Sequence, residues 1–438
     1  MPSDGWLPEG WMTMPLASLA VDGSVTYGVV QPGAPVPNGV PIVRVNNFRG
    51  YGLDIAEALR IAPDIEARYS STRLKADDVL ITVVGTVGQI AIVPPRLVDW
   101  NVARAVAVIR LKDRRLARWL ALTLRAPTAQ SSLNISANTT VQTTINLKDL
   151  RNLQVPIPPP KEREAIERVL CSIDDRIDLL RHTNATLESI AQAIFKSWFI
   201  DFDPVRAKAE GREPDGMDAA TAALFPAEFE ESELGLIPKG WSVRSLDSFA
   251  TYLNGLALQK YPAESDEQYL PVIKIAQLRA GHTNGADKAS ARLKPEYVVR
   301  DGDVLFSWSG SLEVELWCGG DGALNQHLFK VTSSDVPKWF YYLATKHFLP
   351  TFREIAAHKA TTMGHIQRGH LKEAKLAMPS AESLRMLSPL MSALIERRVI
   401  GALHARELAA VRDALLPRLI SGALRLTDAL GQAEETQI

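Results

Sequence analysis

The sequence has few of the features that mark secreted, membrane or metal-binding proteins. Among its 438 residues are only two cysteines, Cys171 and Cys318, too few for a disulfide framework or a cysteine-based metal site. No apolar run approaches the roughly 20 residues that cross a bilayer. A basic segment followed by an apolar one, as in a signal peptide, does not occur at the N-terminus. We therefore expect a cytoplasmic protein without a metal site.

Catalytic signatures are missing as well. No glycine-rich loop ends in Lys-Ser or Lys-Thr, and no dinucleotide fingerprint follows a strand. The chain contains neither Asn-Pro-Pro-aromatic nor Asp-Pro-Pro-Tyr, so it carries no adenine-methyltransferase motif. His327 is expected in a hydrogen-bonded structural role, and His365 is a candidate for polar contact. The sequence predicts a binding protein with no catalytic residues.

Charge of one sign is not in excess, since the net charge is −1. The total conceals some segregation. The first 160 residues hold 16 basic and 12 acidic residues, whereas residues 201–230 hold three basic and eight acidic ones. This distribution permits a nucleic-acid surface without demanding one.

What the sequence does contain is an internal repeat. "GWLPEGWMTMPL" from Gly5 is echoed by "GLIPKGWSVRSL" from Gly235. Further echoes follow in the same order: "IVRVNNFRG" with "VIKIAQLRA", "ADDVLITVVG" with "DGDVLFSWSG", and "ARWLAL" with "PKWFYYL". We interpret the first two pairs as strands with alternating or buried apolar residues. The chain therefore contains two similar α+β domains with strand-rich cores, which differ in their loops.

A long helix is expected after each domain. The first has apolar residues at alternating spacings of four and three, which is typical of a coiled-coil seam. Asn184 breaks this seam, and it either fixes the register or lies at a solvated position. The expected seam residues are Ile166, Leu170, Ile173, Ile177, Leu180, Leu187, Ile194 and Trp198, with Ala191 between the last two groups.

The second helix has a weaker seam. Its expected residues are Leu387, Met391, Leu394, Leu408, Leu415 and Leu419, and the pattern is interrupted by Arg398, Gly401, Ala405 and Arg412. Since a lone amphipathic rod would expose a large apolar stripe, we expect the two helices to pack together.

These patterns divide the chain into six segments. Residues 201–234 are either a flexible acidic linker or, because they are rich in phenylalanine, a docking loop. The expected segments are a first domain at 1–158, a first long helix at 159–200, the acidic linker at 201–234, a second domain at 235–379, a second long helix at 380–425 and a tail at 426–438.

The whole pattern resembles the specificity subunits of type I restriction-modification systems. The resemblance is carried by the two Ile/Leu-Pro-x-Gly-Trp motifs at residues 7–11 and 237–241, by "PIPPPKER" at residues 156–163, and by "FKSWFIDFDPVRAKAEG" at residues 195–211. It covers nearly the whole chain. The second helix departs from the pattern, because "PSAESLR" lacks the proline run.

The resemblance implies a division of labour. Each domain would be a target-recognition domain for one half of a bipartite DNA site, and the helices would form an antiparallel coiled coil between the two domains. Two modification subunits, which bind S-adenosylmethionine and methylate adenine, would dock on the helices. A restriction subunit that uses ATP and Mg²⁺ would complete the complex.

Candidate DNA-contacting residues are polar groups at matched positions in the two copies. Side chains of these types contact phosphates and base edges. They are Arg44, Asn47, Arg49, Arg73, Thr139, Thr140 and Gln142 in the first domain, and Lys274, Gln277, Arg279, Lys359, Thr361, Thr362 and His365 in the second. Solvated surface charge and strand-end hydrogen bonding are the alternatives for each. For the whole chain, the alternatives are a protein-interaction scaffold without a DNA role and an orphan nuclease or methyltransferase.

Overall fold

The computed structural model describes residues 7–50, 52–56, 58–137, 144–358 and 364–426. It confirms an α+β fold. The chain divides into two compact units, Met1–Asp175 with Ala409–Ile438, and Arg176–Leu408. These units differ from the segments expected from the sequence, because each combines one globular domain with parts of both long helices.

The first domain is built from short strands and helices. Its sheets have the strand orders β2-β10-β7-β8 and β6-β3-β9, with β1 paired to β11 and β4 to β5. The strands are β1 (Met12–Pro15), β2 (Ala20–Tyr27), β3 (Val40–Val43), β4 (Phe48–Arg49), β5 (Gly52–Leu53), β6 (Leu59–Ile61), β7 (Val79–Thr82), β8 (Ile90–Ile92), β9 (Asn101–Val102), β10 (Val106–Leu111) and β11 (Gln154–Ile157). The helices are α1 (Leu16–Leu19), α2 (Pro63–Ala67), α3 (Ala117–Arg125), α4 (Pro127–Ala137) and α5 (Leu147–Asn152).

The remaining elements include the two long helices and the second domain. The helices are α6 (Pro160–Phe199), α7 (Asp203–Ala209), α8 (Ala219–Ala223), α9 (Leu246–Phe249), α10 (Ile275–Ala280), α11 (Lys338–His347), α12 (Leu349–His358), α13 (Arg368–Glu373) and α14 (Ala381–Ile420). The strands are β12 (Phe229–Ser232), β13 (Gly235–Pro238), β14 (Ser242–Ser245), β15 (Thr251–Asn254), β16 (Leu270–Ile273), β17 (Lys288–Ala289), β18 (Val298–Val299), β19 (Val304–Ser307), β20 (Val314–Leu316), β21 (Gly322–Leu324), β22 (Leu328–Thr332) and β23 (Lys375–Met378).

Strand pairing in the second domain repeats that of the first. The sheet β15-β22-β19-β20 matches β2-β10-β7-β8, and both are antiparallel. The parallel pair of β3 with β9 recurs as β16 with β21, and β1 with β11 recurs as β14 with β23. The duplication expected from short sequence echoes is therefore a duplication of topology.

The repeated Pro-x-Gly-Trp motif forms the same turn in both copies. In each, the tryptophan backbone N–H donates to the proline carbonyl at 3.0 Å. Gly10 and Gly240 have φ of 84° and 81°, a conformation that glycine adopts without steric cost. Trp11 and Trp241 are buried. The motif is thus an opening turn followed by an aromatic anchor.

The strands expected over 42–50 and 272–280 are shorter than predicted. They end at Val43 and Ile273, and a helical turn follows in each copy. The reason is a side-chain cap. The backbone N–H of Arg44 donates to Asn47 Oδ1 at 2.8 Å, and that of Lys274 donates to Gln277 Oε1 at 3.3 Å. Because these amides satisfy the first turn, the chain leaves the extended conformation.

Both long helices run for 40 residues. None of the expected seam residues is exposed. The seam of α14 also continues through the residues that seemed to interrupt it, since Gly401, Ala405 and Arg412 are buried. Contacts join Asp174 to Arg412 in one unit and Glu188 to Arg398 in the other, so numbers rise along α6 as they fall along α14. The helices pack antiparallel.

Asn184 lies directly against Gly401 on the facing helix. A Cβ built on Gly401 would be 2.3 Å from Asn184 Oδ1. The asparagine is half-buried near the middle of α6, which favours a role in helix packing over a solvated position.

The acidic segment 201–234 is folded against the second unit. It contains α7, α8 and β12. Phe202 and Phe225 are buried, and the Phe225 ring lies 5.5 Å from Trp198 and 6.3 Å from Trp241. The phenylalanines that suggested a docking loop therefore belong to the core of the second unit.

Candidate nucleic-acid interface

Two turns with the same backbone occupy equivalent places in the two domains. We call them the matched turns, residues 103–105 between β9 and β10 and residues 325–327 between β21 and β22. Val29 makes a parallel bridge to Ala103 in the first copy, as Leu256 does to Asn325 in the second. Each turn thus connects a buried parallel strand to the central antiparallel sheet.

The same backbone hydrogen bonds hold both turns. Arg104 N–H donates to the Val29 carbonyl at 2.8 Å, and Gln326 N–H donates to the Leu256 carbonyl at 2.9 Å. A further matched set closes each turn and ties it to its neighbours: Val106 to Ala103, Val83 to Ala105 and Ile145 to Val83 in the first copy, and Leu328 to Asn325, Trp308 to His327 and Ile366 to Trp308 in the second.

A glycine before each matched turn allows this close approach. A Cβ on Gly28 would lie 1.9 Å from the Val102 carbonyl oxygen, and one on Gly255 would lie 2.2 Å from that of Asn325. No side chain fits either gap, so both copies need glycine there.

The side chains carried by the matched turns differ. In the first copy the exposed residue is Arg104. In the second, Gln326 Nε2 lies 3.3 Å from His327 Nε2, and the Trp308 indole N–H donates to the Gln326 carbonyl at 3.2 Å and to Asn254 Oδ1 at 2.9 Å. A shared frame therefore presents a cation in one domain and an amide beside aromatic rings in the other.

Two of the four residues expected at the first domain's described positions have structural roles. Asn47 is buried, and its amide N–H donates to the Asp54 carbonyl at 2.9 Å while its oxygen caps Arg44. Arg73 makes a two-pronged ion pair with Glu66 at 3.0 and 2.6 Å. This contact lowers the pKa of Glu66, in spite of the opposing effect of burial. DNA contact by these residues stays a prediction.

The corresponding residues of the second domain are similarly placed. Gln277 caps Lys274, and Lys274 Nζ forms an ion pair with Asp287. Arg49 and Arg279 are exposed at matched positions. The Arg49 guanidinium donates to the Phe48 carbonyl at 3.2 Å. These two arginines remain the most accessible of the expected residues that the structure describes.

The threonine-rich positions lie outside the described residues. They are Thr139, Thr140, Gln142, Lys359, Thr361 and Thr362. His365, just after them, makes an antiparallel bridge to Ser309, and its ring lies 6.4 Å from Trp308. His327 lies 3.0 Å from Ser309 Oγ through Nδ1, which agrees with the hydrogen-bonded role expected for it.

A buried ion network holds the second domain to both long helices. We call it the Glu188 network. Glu188 on α6 contacts Lys346 and accepts from Tyr342 Oη at 2.6 Å, both on α11, and accepts from Arg398 Nε on α14 at 2.7 Å. Glu315 on β20 pairs with Lys346 at 3.1 Å and with Arg398 at 2.9 Å. Two acids are thereby balanced by two cations.

The electrostatics of this network favour its ionised form. Burial alone would raise the pKa of Glu188, but the charges of Arg398 and Lys346 outweigh burial and hold that pKa at about 2. Burial raises the pKa of Tyr342 well above its usual value, so its hydroxyl stays protonated and donates to the carboxylate.

A smaller network of the same kind lies in the first unit. Asp174 on α6 accepts from Arg412 on α14 at 3.0 Å and from Arg125 at 3.4 Å. Arg125 is in the last turn of α3, as Lys346 is in the last turn of α11. In both units a cation of the globular domain and an arginine of α14 meet one acid of α6.

Sequence reasoning missed these networks because the arginines appeared only as breaks in an apolar seam. One signal was present. Asp174 and Glu188 are 14 residues apart, as are Arg398 and Arg412, so each pair repeats after two heptads of an antiparallel coiled coil.

Among the described residues, no cluster of His, Cys, Asp and Glu could hold a metal ion. In the same part of the chain, no helix combines the length and apolarity required to span a membrane.

Comparison with known proteins identifies the family. The family model described as the type I restriction modification DNA specificity domain matches twice, at residues 35–189 and 238–398. These matches cover most of the chain and fall on the two copies of the repeat. The chain belongs to this family of DNA specificity proteins.

Individual relatives are distant. The type I restriction enzyme HindI specificity subunit of Haemophilus influenzae is 24% identical over 330 residues, 64% of this chain and 71% of the relative. The EcoBI specificity subunit of Escherichia coli is 29% identical over 238 residues, 52% of this chain and half of the relative's length. A solved S subunit from M. genitalium aligns over 96% of this chain and 98% of its own, with 13% identity and a TM-score of 0.48.

Proposed function

We propose that the chain is the DNA-specificity subunit of a type I restriction-modification complex and reads a bipartite target through its two domains. The observation that carries this proposal is the double match to the DNA specificity domain, which coincides with the duplicated topology. Two similar domains on one chain suit a split site, as the halves of a dimer suit two half-sites.

The role proposed for this chain is sequence choice without chemistry. Adenine methylation would be carried out by modification subunits that bind S-adenosylmethionine, and cleavage by a restriction subunit that uses ATP and Mg²⁺. The relatives are named as specificity subunits, which supports a complex of separate subunits.

A selection from a randomised duplex library tests this function. The chain, purified with its modification subunits, should enrich duplexes with two short fixed sequences separated by a spacer of constant length. Enrichment of a single continuous site, or of none, would contradict the proposal and favour a protein-interaction scaffold. The selection is done at fixed salt, because phosphate contacts make affinity depend on ionic strength.

Exposed apolar residues on the long helices support docking of two modification subunits. Leu179 and Ile190 on α6 are 54% and 42% exposed, and Ile400 and Val411 on α14 are 43% and 50% exposed. The two pairs are related by the same shift of 221 residues that relates α6 to α14. Apolar residues at matched exposed positions favour one partner of the same kind for each helix.

Native mass spectrometry tests this stoichiometry. The double variant Leu179→Glu with Ile190→Glu should lose one modification subunit, and Ile400→Glu with Val411→Glu should lose the other. Thr186→Glu is the matched control, because α14 already has Glu407 at the equivalent position. Retention of two modification subunits by both double variants would show that these residues are not the docking sites.

A further inference from the structure

The matched turns combine a constant backbone with variable side chains. Their backbone hydrogen bonds agree bond for bond between the copies, while Arg104 in one corresponds to Gln326 in the other. A duplicated binder whose halves recognise different sequences needs such an arrangement. The frame must place a side chain identically, and the side chain must differ.

The two side chains are available to a ligand. The Arg104 guanidinium is exposed and makes no hydrogen bond or ion pair with any residue that the structure describes. Gln326 is partly exposed, and its amide contacts only the neighbouring His327 ring among the described residues. Neither side chain takes part in the core or in the ion networks.

The neighbouring positions also differ between the copies. Tyr27 ends β2 and is 38% exposed, and its counterpart Asn254, which ends β15, is exposed as well. Trp308, which supports the second turn through its indole N–H, replaces Val83 of the first. Divergence is therefore concentrated around the turn, where the backbone is most constant.

The chemistry of the two side chains separates the bases that they suit. Arginine donates two hydrogen bonds to O6 and N7 of guanine, and glutamine pairs with N6 and N7 of adenine, both in the major groove. We propose that the matched turns are base-reading positions, with Arg104 reading a guanine in one half-site and Gln326 reading an adenine in the other. This inference rests on the proposed function and assigns residues to it.

Library selection with single variants tests the inference. The variants Arg104→Ala and Gln326→Ala are each assembled with the modification subunits and selected from the randomised duplexes. Arg104→Ala should lose about 10- to 100-fold of discrimination at one guanine and leave the other half-site unchanged. Gln326→Ala should do the same at one adenine of the other half-site.

Reciprocal variants sharpen the assignment. Arg104→Gln should shift the preferred base at its position from guanine towards adenine, and Gln326→Arg should produce the opposite shift. Arg96→Ala, an equally exposed arginine of the first domain, is the control for loss of charge and should leave the motif intact. Matching melting temperatures of the variants would show that folding is unaffected.

The outcomes separate this inference from the proposed function. A wild-type complex that enriches no bipartite motif would overturn the proposed function and this inference with it. A wild-type motif retained by both alanine variants would overturn the inference alone. Uniform weakening over all sequences by Arg104→Ala would assign Arg104 to a phosphate and would also overturn it.

Discussion

The two recognition domains share a backbone, yet their interiors are built from different residues. On the central sheet, Ile81 pairs with Ala107 in the first domain, and Phe306 pairs with Phe329 at the equivalent place in the second. The two phenylalanine rings are 6.0 Å apart. The first core is largely aliphatic there, and the second is aromatic. Different residues can fill equivalent strands when each core packs its own volume.

The turns and caps, in contrast, are retained. Gly10 and Gly240 adopt the same positive φ, and Asn47 and Gln277 cap the same helical turn. The comparison teaches that backbone geometry is held by a few turn and cap residues. The exposed side chains of the matched turns are free to differ because they do not support the frame.

Removing the acid of each ion network should have the largest effect, and the two units should respond unequally. Glu188→Ala leaves Lys346 and Arg398 with only Glu315, and an unbalanced buried charge costs about 3–5 kcal/mol. Asp174→Ala should cost about 1–3 kcal/mol, because Arg412 keeps its contact with Asp413. Hydrogen exchange of backbone amides in each unit measures both effects. Equal loss of protection in the two variants would contradict the asymmetry.

Acid should weaken the second unit through the same carboxylate. The pKa of Glu188 is lowered from 4.5 to about 2 in the folded protein, so its contribution is complete above pH 4.5 and is lost as the pH falls towards 2. Between pH 6 and pH 3 the loss is about 2 kcal/mol. Urea unfolding followed in the wild type and in Glu188→Gln should show this loss only in the wild type. The same pH dependence in both proteins would contradict it.

A smaller effect is expected where the helices approach most closely. Gly401→Ala places a methyl group against Asn184, and the asparagine must move, so we expect a net destabilisation of about 1 kcal/mol. In an Asn184→Ala background the same change should instead stabilise by about 0.5–1 kcal/mol, because alanine favours helix over glycine.

Gly369→Ala on α13 is the matched control for this substitution. An added Cβ there meets no heavy atom within 4 Å among the described residues, so no destabilisation is expected. Urea unfolding of the four variants measures the interaction energy between positions 184 and 401. An unchanged effect of Gly401→Ala in the two backgrounds would show that Asn184 does not restrict this position.

The smallest change in stability is expected at Arg49 and Arg279. Both are exposed, so replacement by alanine should alter the free energy of unfolding by less than about 0.5 kcal/mol. If each contacts one phosphate, the slope of log affinity against log salt should fall by about 1 in each variant. Titrations at several salt concentrations measure this. An unchanged slope would leave both arginines as solvated surface charge.

Much of the fold could be predicted because repetition and heptad spacing are visible in a single sequence. The opening turn, the buried strands ending at Thr82 and Ser307, and the seam of α6 all follow from local patterns. The ends of the strands near Arg44 and Lys274 could not be predicted, since the cap that terminates them depends on a side-chain hydrogen bond three residues away.

The candidate interface was predicted less well, for a physical reason. Matched polar residues were sought, but a shared residue such as Asn47 or Gln277 is shared because the frame needs it. Residues that distinguish one target half from the other should differ between copies. Arg104 and Gln326 become comparable only when the backbone bonds of the two turns are superimposed.

Mapping of methylated adenines in a host that carries only this chain and its modification gene tests the central claim most directly. If two domains of one chain read the two halves of a split target, methylation should fall on a single bipartite motif with a fixed spacer. In Arg104→Ala one half of that motif should relax, and in Gln326→Ala the other half should relax. Methylation without a bipartite motif, or relaxation of the same half in both variants, would contradict the account.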